Sequence, residues 1–257
     1  MLLAVFSDVH ANMPALEAVL ADIKKYKPDL ICCLGDLVNQ NVWSREVITM
    51  VRAANIPTVM GNHDQGIGAG NTNFRFSYST REEKAWGKEA IAYTMAQVST
   101  KDRAFLSNLP SNIRFSFSSA DGLLDLLMVH GSPQSINQYV YHFTKADELR
   151  SMITQAHTHI LLMGHTHHPY HQVIPAEEAG RKTFLHAVNA GSVGCPKDGD
   201  WYACYVLIEW DSNRHVLTDP EAVKVTIHRV EYDIDTVVHA IQRSPLPLFY
   251  AGRLIKY

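Results

Sequence analysis

Five short apolar runs in this chain each end abruptly at an aspartate, asparagine or histidine. The runs are residues 2–6, 30–34, 57–60, 123–129 and 160–163. The polar motifs that follow them are Asp8-Val9-His10, Gly35-Asp36, Gly61-Asn62-His63-Asp64, His130-Gly131 and Gly164-His165-Thr166-His167. Short runs rich in Leu, Val and Ile are typical of buried strands, and ligands bind beyond the carboxyl ends of strands in α/β sheets. The pattern therefore predicts one sheet edge where carboxylate, amide and imidazole groups meet.

The two halves of the chain carry different element patterns. In the first half, strand-like runs alternate with helical patterns, one opening at Pro14 and one capped by Ser44. In the second half, residues 113–118 alternate between apolar and polar, and Asp121-Gly122 predicts a hairpin turn. Further strands are predicted at 170–174, 183–188, 203–209 and 223–230. Together these patterns predict a single α+β domain over residues 1–257, with two mixed sheets packed between helix layers.

Some segments are less regular. Residues 66–78 have no clear period and are predicted to form a loop over the site, and residues 66–98 are a candidate lid or cap insertion. Thr100 and Thr144 are predicted to cap two further helices, and Asp233 a last one. The tail from Pro245 is predicted to be an extended segment laid on the body of the protein.

The amino-acid composition narrows the classes of molecule that the protein is expected to bind. The net charge of −3 gives no basic field for a long nucleic acid, whereas 14 histidines are available for metal binding. The four cysteines form no C-x-x-C pair, and we interpret Cys32 and Cys33 as reduced core residues on opposite faces of a strand. No run is long enough to cross a membrane, and the start does not resemble a signal peptide. A cytoplasmic location is the expectation, and the oligomeric state is not predicted.

The motif residues suit divalent cations. Asp8 and His10 lie two apart on an extended segment, so both can face one side and chelate an ion. The Asp36 carboxylate can bridge two ions, and Asn62 offers a neutral oxygen. His130, His165 and His167 add imidazoles. Two cations about 3.5–4 Å apart can clamp the oxygens of a phosphoryl displacement and generate hydroxide at neutral pH.

His63 is predicted to serve as an acid and not as a ligand. It follows Asn62 but is expected to point elsewhere, and Asp64 is expected to orient it through a hydrogen bond. An imidazolium beside the cations would protonate a leaving alkoxide. Each motif taken singly also fits an ordinary turn or helix start. The recurrence of all five after apolar runs is what favours a common site.

In this order the motifs resemble the calcineurin-like metallophosphoesterase superfamily, and within it the smaller bacterial and archaeal phosphoesterases. The resemblance spans residues 2 to about 194 and implies a four-layer αββα sandwich. It implies that one metal is bound by Asp8, His10, Asp36 and His167, and the other by Asp36, Asn62, His130 and His165. It implies His63 as the acid near the leaving group, with Asp64 behind it.

Two places depart from that branch. It usually has Pro where Ala190 stands, and a Gly-containing turn where residues 38–41 read Val-Asn-Gln-Asn. The second departure lies beside the expected metals. The substrates of that branch are therefore a weak guide to the substrate of this chain. Asn12 either contacts a phosphate oxygen or begins the helix before Pro14, and the sequence does not choose between these roles.

The predicted function is hydrolysis of phosphate esters by attack of a metal-bridging hydroxide, with a small phosphodiester or nucleotide-type substrate favoured. The cofactors would be two divalent ions, Mn, Fe, Zn or Ni, whose identity the sequence does not reveal. Alternatives are a symmetrical diadenosine polyphosphate hydrolase, a phosphomonoesterase, a nuclease, and a metal-binding scaffold without chemistry.

Overall fold

The computed structural model describes residues 1–72, 74, 79–178 and 180–255, so residues 73 and 75–78 of the predicted loop at 66–78 lie outside the described residues. The strands are β1 (Leu2–Phe6), β2 (Leu30–Cys33), β3 (Asn112–Ser119), β4 (Gly122–Val129), β5 (Ile160–Met163), β6 (Tyr170–Glu178), β7 (Arg181–Asn189), β8 (Ala203–Trp210) and β9 (Val223–Val230). The helices are α1 (Met13–Tyr26), α2 (Ser44–Ala53), α3 (Asn62–Gly68), α4 (Arg81–Gln97), α5 (Thr100–Ser107), α6 (Ala146–Gln155), α7 (Ile234–Gln242) and α8 (Phe249–Gly252).

The strands form two mixed sheets. The first has the order β2-β1-β8-β9, in which only β1 and β2 are parallel. The second has the order β3-β4-β5-β7-β6, in which β5 runs parallel to both β4 and β7. The loops after β1 and β2 leave the first sheet at one edge, and those after β4 and β5 leave the second sheet at one edge, because parallel strands end on the same side.

The sheets pack face to face and each is covered by helices. Leu3 and Val5 of β1 face the core between the sheets, whereas Ala4 and Phe6 face the core shared with α1 and α2. A third core joins α6 to the outer face of the second sheet. These layers confirm the predicted αββα sandwich. The adjacent Cys32 and Cys33 lie in different cores, as expected from strand alternation, and all four cysteines are free and buried.

A fourth core seats the C-terminal segment. It gathers Val237 and Ile241 of α7, Tyr250 of α8 and Ala90 of α4. The tail from Pro245, predicted to be extended, contains the short helix α8. The tail packs against the body as predicted, but its extended conformation was wrong, because residues 249–252 form a helical turn whose apolar side chains contact α4 and α7. The proposed lid at 66–98 stays a prediction.

Several local predictions also needed correction. The expected strand at 57–60 makes only one bridge, between Thr58 and Cys33. The expected loop from residue 66 begins inside α3, because the Gly-Asn-His-Asp motif starts that helix. Ser44, Thr100 and Thr144 do not cap their helices; the caps are the residues Trp43, Ser99 and Lys145. Asp233 caps α7 as predicted. Among the described residues, no helix combines the length and apolar character required to span a bilayer.

Candidate metal centre

The seven predicted metal ligands converge at one end of the sandwich. The loops after β1 and β2 deliver Asp8, His10 and Asp36 from the first sheet, and those after β4 and β5 deliver His130, His165 and His167 from the second. Asn62 begins α3. All seven are buried, with no more than 6% of their surface exposed. The cluster therefore joins the two sheets. Its residues come from separate motifs and not from a repeated sequence.

One group of donors surrounds Asp8. Its Oδ1 lies 3.1 Å from Nε2 of His167 and 3.7 Å from Nε2 of His10. The two imidazole Nε2 atoms are 3.2 Å apart. These three residues place their ligand atoms close enough to share one cation.

A second group surrounds His130. Its Nε2 lies 3.1 Å from Oδ1 of Asn62 and 3.3 Å from Oδ2 of Asp36. Asp36, His130 and His165 form another set of donors able to hold one ion. Oδ2 of Asp36 is also 3.8 Å from Nε2 of His10 in the first group. Asp36 therefore stands between the two groups, where a bridging carboxylate is expected.

Backbone hydrogen bonds leave one oxygen of each carboxylate for a cation. Oδ2 of Asp8 accepts from the backbone N–H of His165 (2.9 Å), which leaves Oδ1 facing the donor cluster. Oδ1 of Asp36 accepts from the backbone N–H of His63 (2.8 Å), which leaves Oδ2 between the two groups. Each carboxylate is thus oriented by a loop other than its own.

The backbone at the site is strained. Asp8, His10, Asp36, His165 and His167 all have φ between +46° and +65°. A left-handed conformation costs a non-glycine residue roughly 1–2 kcal/mol. Such outliers gather where function needs a fixed geometry. Five strained residues in one donor cluster therefore support a functional site at this edge.

Glycine permits the close approach of two ligand loops. A Cβ on Gly35 would lie 2.4 Å from the backbone N of Gly61, and a Cβ on Gly61 would lie 2.1 Å from Oδ1 of Asp36. Neither distance is compatible with a side chain. The glycines that precede Asp36 and Asn62 in the motifs are therefore required by packing at the site.

The donors present fit divalent cations. Oδ1 of Asp8 and Nε2 of His165 are buried and have no hydrogen-bond partner. Nδ1 of His130 and of His167 donate to the carbonyls of Leu34 and Cys195, which directs both Nε2 atoms into the cluster. Buried polar atoms without a partner are costly unless an ion binds them. The site therefore has the character of a metal centre.

The protonation states agree with this interpretation. Burial and the charge on His130 lower the pKa of His165 to about 4, and burial and Lys197 lower that of His167 to about 3. Burial opposes ionisation of Asp36, but the neighbouring His130 and His63 hold its pKa well below the ordinary value. Neutral imidazoles and ionised carboxylates are the forms that bind metal. His130 is the exception, because the charge of Asp36 outweighs burial and raises its pKa to about 10, so a cation bound there would displace its proton.

Asp64 does not hydrogen-bond His63, contrary to the sequence-based expectation. Its carboxylate accepts from the backbone N–H groups of Asp36 (2.7 Å), Leu37 (2.9 Å) and Gly61 (3.0 Å). The reason is geometric, because Asp64 sits in the first turn of α3 and faces the Asp36 loop. Asp64 therefore positions the backbone of the central carboxylate, and a catalytic role for it stays a prediction without a contact to support it.

Asn39 holds His63 instead. Its Nδ2 donates to Nδ1 of His63 (3.0 Å), while its Oδ1 accepts from the backbone N–H of Gln40 and the hydroxyl of Thr94. Since Nδ1 accepts, the ring proton of neutral His63 lies on Nε2, which is 3.9 Å from Oδ2 of Asp36. Burial holds the pKa of His63 well below its ordinary value. The predicted imidazolium is therefore not the resting form at neutral pH, and the ring presents a neutral Nε2–H donor.

Asn12 begins a helix and does not face the site. Its Oδ1 accepts from the backbone N–H of Ala15, and its Nδ2 donates to the carbonyl of Gly194 and the hydroxyl of Tyr232. It is fully buried. With its amide engaged by three partners, the structure gives no support to the substrate-binding role, and favours the helix-start alternative.

Four of the seven donors, Asp36, Asn62, His165 and His167, line a cavity of about 590 Å³, and we call the donor cluster the floor of this cavity. Its walls include residues that the motif search missed, among them Gln40, Tyr139, Lys197, Tyr250 and Arg253. The ring of Tyr139 stacks on that of His165, with centroids 4.1 Å apart. Of these residues, only Gln40 was marked in the sequence, because it lies in the segment 38–41 that departs from the related branch. Nothing local marked the distant Arg253, which the fold brings to the cavity.

Comparisons with known proteins agree with the fold. A family model described as the calcineurin-like phosphoesterase superfamily domain matches residues 1–213. An uncharacterized protein of Methanocaldococcus jannaschii is 29% identical, over 98% of this chain and 97% of its own length. The crystal structure of a metallophosphoesterase from Sphaerobacter thermophilus is 29% identical with a TM-score of 0.72, covering 99% of this chain and 98% of that one. A hypothetical protein of Pyrococcus horikoshii, 21% identical, has a similar fold, with a TM-score of 0.77 over 98% of this chain and 97% of that one.

Proposed function

Since the chain belongs to the calcineurin-like phosphoesterase superfamily and is a metal-dependent phosphoesterase, we propose that it hydrolyses its ester at a centre of two divalent cations. The observation that carries this proposal is the position of Asp36, whose Oδ2 lies 3.3 Å from Nε2 of His130 and 3.8 Å from Nε2 of His10. One carboxylate oxygen between two donor groups suits a pair of ions better than a single ion.

The protein residues divide the work of holding these ions. Asp8, His10 and His167 would hold one cation, Asn62, His130 and His165 the other, and Asp36 would contact both. When bound, the cations would supply a hydroxide nucleophile at neutral pH and neutralise charge on the phosphoryl group. Their identity among Mn, Fe, Zn and Ni depends on supply, because mixed oxygen and imidazole ligands suit all four.

His63 has a separate role in the proposal. Its Nε2–H lies beside the centre, and Asn39 fixes the tautomer. A preorganised neutral donor there stabilises the negative charge that develops on a phosphoryl or leaving oxygen. No covalent protein intermediate is needed.

A small phosphodiester or nucleotide is the proposed substrate. The cavity of about 590 Å³ has room for more than a phosphate group. Aromatic and cationic side chains line its walls, which suits an organic ester with a negative charge. The net charge of −3 does not favour a long nucleic acid.

The test is a reconstitution experiment. The protein is stripped with a chelator, reloaded with Mn, Ni, Zn or Fe, and assayed with bis(p-nitrophenyl) phosphate and p-nitrophenyl phosphate. We expect no turnover in the stripped protein and full turnover after two equivalents of metal per chain. Saturation at one equivalent would refute the paired centre. Lack of turnover of either ester with every metal would favour the scaffold alternative.

A further inference from the structure

Two cationic side chains line the wall of the metal cavity. Lys197 follows β7 in the loop beyond Cys195, and its backbone N–H donates to the carbonyl of His167 (3.4 Å). Arg253 follows α8 in the C-terminal segment. The fold thus brings two positive charges from distant parts of the chain to the same cavity as the candidate metal ligands.

Neither cation has a carboxylate partner among the described residues. Arg253 donates from Nη1 to Oε1 of Gln40 (3.4 Å), and its guanidinium lies 5.6 Å from the ring centroid of Phe249. Lys197 is accessible, and its neighbour Asp198 is instead paired with Arg229. The carboxylate of Glu83 also lines the cavity, where it accepts from the backbone N–H of Ser79. The two cations therefore keep most of their hydrogen-bonding capacity for a ligand.

The two cations line the same cavity as four of the candidate metal ligands. Like charges on one cavity wall repel one another, and an anion bound between them reduces that repulsion.

We propose that Lys197 and Arg253 form an anion subsite for a second phosphate group of the substrate, beside the phosphoryl group held at the metal centre. This proposal rests on the proposed function for its account of the scissile group. The substrate class is then a phosphate ester that carries one further phosphate, such as a nucleoside bisphosphate derivative or a phosphoanhydride-linked nucleotide. Arginine and lysine at one cavity wall provide the fork and the point charge with which proteins bind phosphate.

The two cations differ in their relation to the family model, which contains Lys197. The family model ends at residue 213, so Arg253 lies outside it. Its partner Gln40 stands in the turn where that branch commonly has glycine, and has a φ of +72°. The fourth core fixes α8 against α4 and α7, so Arg253 is presented from a packed element and not from a free tail.

A binding experiment tests the subsite without catalysis. Inorganic pyrophosphate is titrated calorimetrically into metal-free protein, which avoids chelation of bound ions. Lys197→Gln and Arg253→Gln should each weaken binding about tenfold, since each removes one charge-assisted contact. Lys224→Gln, which removes an exposed charge on β9 outside the cavity, is the matched control and should change nothing. Equal binding by the wild type and both cavity variants overturns the proposal.

A kinetic experiment determines whether the subsite binds a phosphate group of the substrate or free inorganic phosphate. The metal-loaded protein is assayed with thymidine 5′-(p-nitrophenyl phosphate) and with its 3′-phosphorylated derivative. We expect Arg253→Gln to raise the ratio of the two KM values, derivative over parent, about tenfold, and Lys224→Gln to leave it unchanged. Arg253→Gln could instead weaken inhibition by inorganic phosphate and leave the KM ratio unchanged. That result would assign the subsite to free phosphate and overturn the substrate proposal.

Folding controls keep both experiments decisive. Thermal unfolding is recorded for every variant, and Arg253→Lys, which keeps the charge, should restore part of the binding. If Arg253→Gln does not fold, Lys197→Gln decides the outcome, because its side chain is accessible and outside the packed cores. If neither thymidine ester is hydrolysed, the proposed function fails on its own, while the pyrophosphate titration still decides the anion subsite.

Discussion

The floor and the wall of the cavity are built in different ways. The floor, formed by the seven donors, is buried, strained in its backbone and fixed by hydrogen bonds between loops. The wall, which includes Gln40, Lys197 and Arg253, is more open and is assembled from segments far apart in the chain. The family model matches the floor and also Gln40 and Lys197, and it ends before Arg253. We therefore expect the floor to set the chemistry and the wall to set the choice of substrate.

The largest expected effect comes from the residue that joins the two donor groups. Asp36→Asn should lower turnover about 10³-fold or more, because an amide binds cations weakly and cannot bridge them as a carboxylate does. The measurement is steady-state hydrolysis together with metal content. Asp147→Asn, whose side chain is 89% exposed, is the control and should behave as the wild type. A full complement of two metals in Asp36→Asn would refute the bridge.

His63 should matter for turnover and not for metal binding. His63→Ala should lower kcat about 10²- to 10³-fold, the usual cost of removing one preorganised donor, while two metals remain bound. His239→Ala removes an exposed histidine of α7 and serves as the control. Equal kcat in His63→Ala and the wild type would eliminate the proposed donor, and loss of metal would show that His63 is a ligand.

The motifs at the floor are predictable because the pattern and the chemistry coincide. Asp8, Asp36 and His130 each follow an apolar run, and parallel strands carry the ends of such runs to the same edge. The sequence also predicts the αββα layers, since the period of the apolar residues differs between strands and helices. The family and the fold are confirmed, whereas ligand roles and the number of ions stay predictions.

The details that could not be predicted depend on three-dimensional neighbours. Asp64 lies next to His63 in sequence, yet it binds the backbone of the Asp36 loop because α3 turns it toward that loop. Asn39 holds His63 from a distance of 24 residues. The tail helix that carries Arg253 depends on apolar contacts with α4 and α7. The sequence neighbour of His63 therefore did not reveal its hydrogen-bond partner.

A substitution at Asn39 tests the comparison of floor and wall with an effect of intermediate size. Asn39→Ala should lower kcat about tenfold, because His63 loses the hydrogen bond that fixes its tautomer. Asn39 has a φ of +74°, so alanine also introduces strain. Asn39→Gly removes the amide without that strain. The same loss of kcat in both variants would support the role of the hydrogen bond. A wild-type kcat in Asn39→Gly would contradict that role.

The smallest effect is expected at Gln40. Gln40→Gly should raise the free energy of unfolding by about 1 kcal/mol, since glycine adopts positive φ without strain. It should also raise KM about threefold for a substrate with a second phosphate, because Arg253 loses a partner. Thermal unfolding and steady-state kinetics measure the two effects. A fall in kcat as large as that of His63→Ala would show that wall and floor are not separate.

The paired centre is tested most directly by manganese loading followed by electron paramagnetic resonance. The account predicts that two manganese ions bind per chain and give an exchange-coupled spectrum, which Asp36→Asn abolishes. A spectrum of isolated ions at full loading, or saturation at one ion per chain, would contradict it.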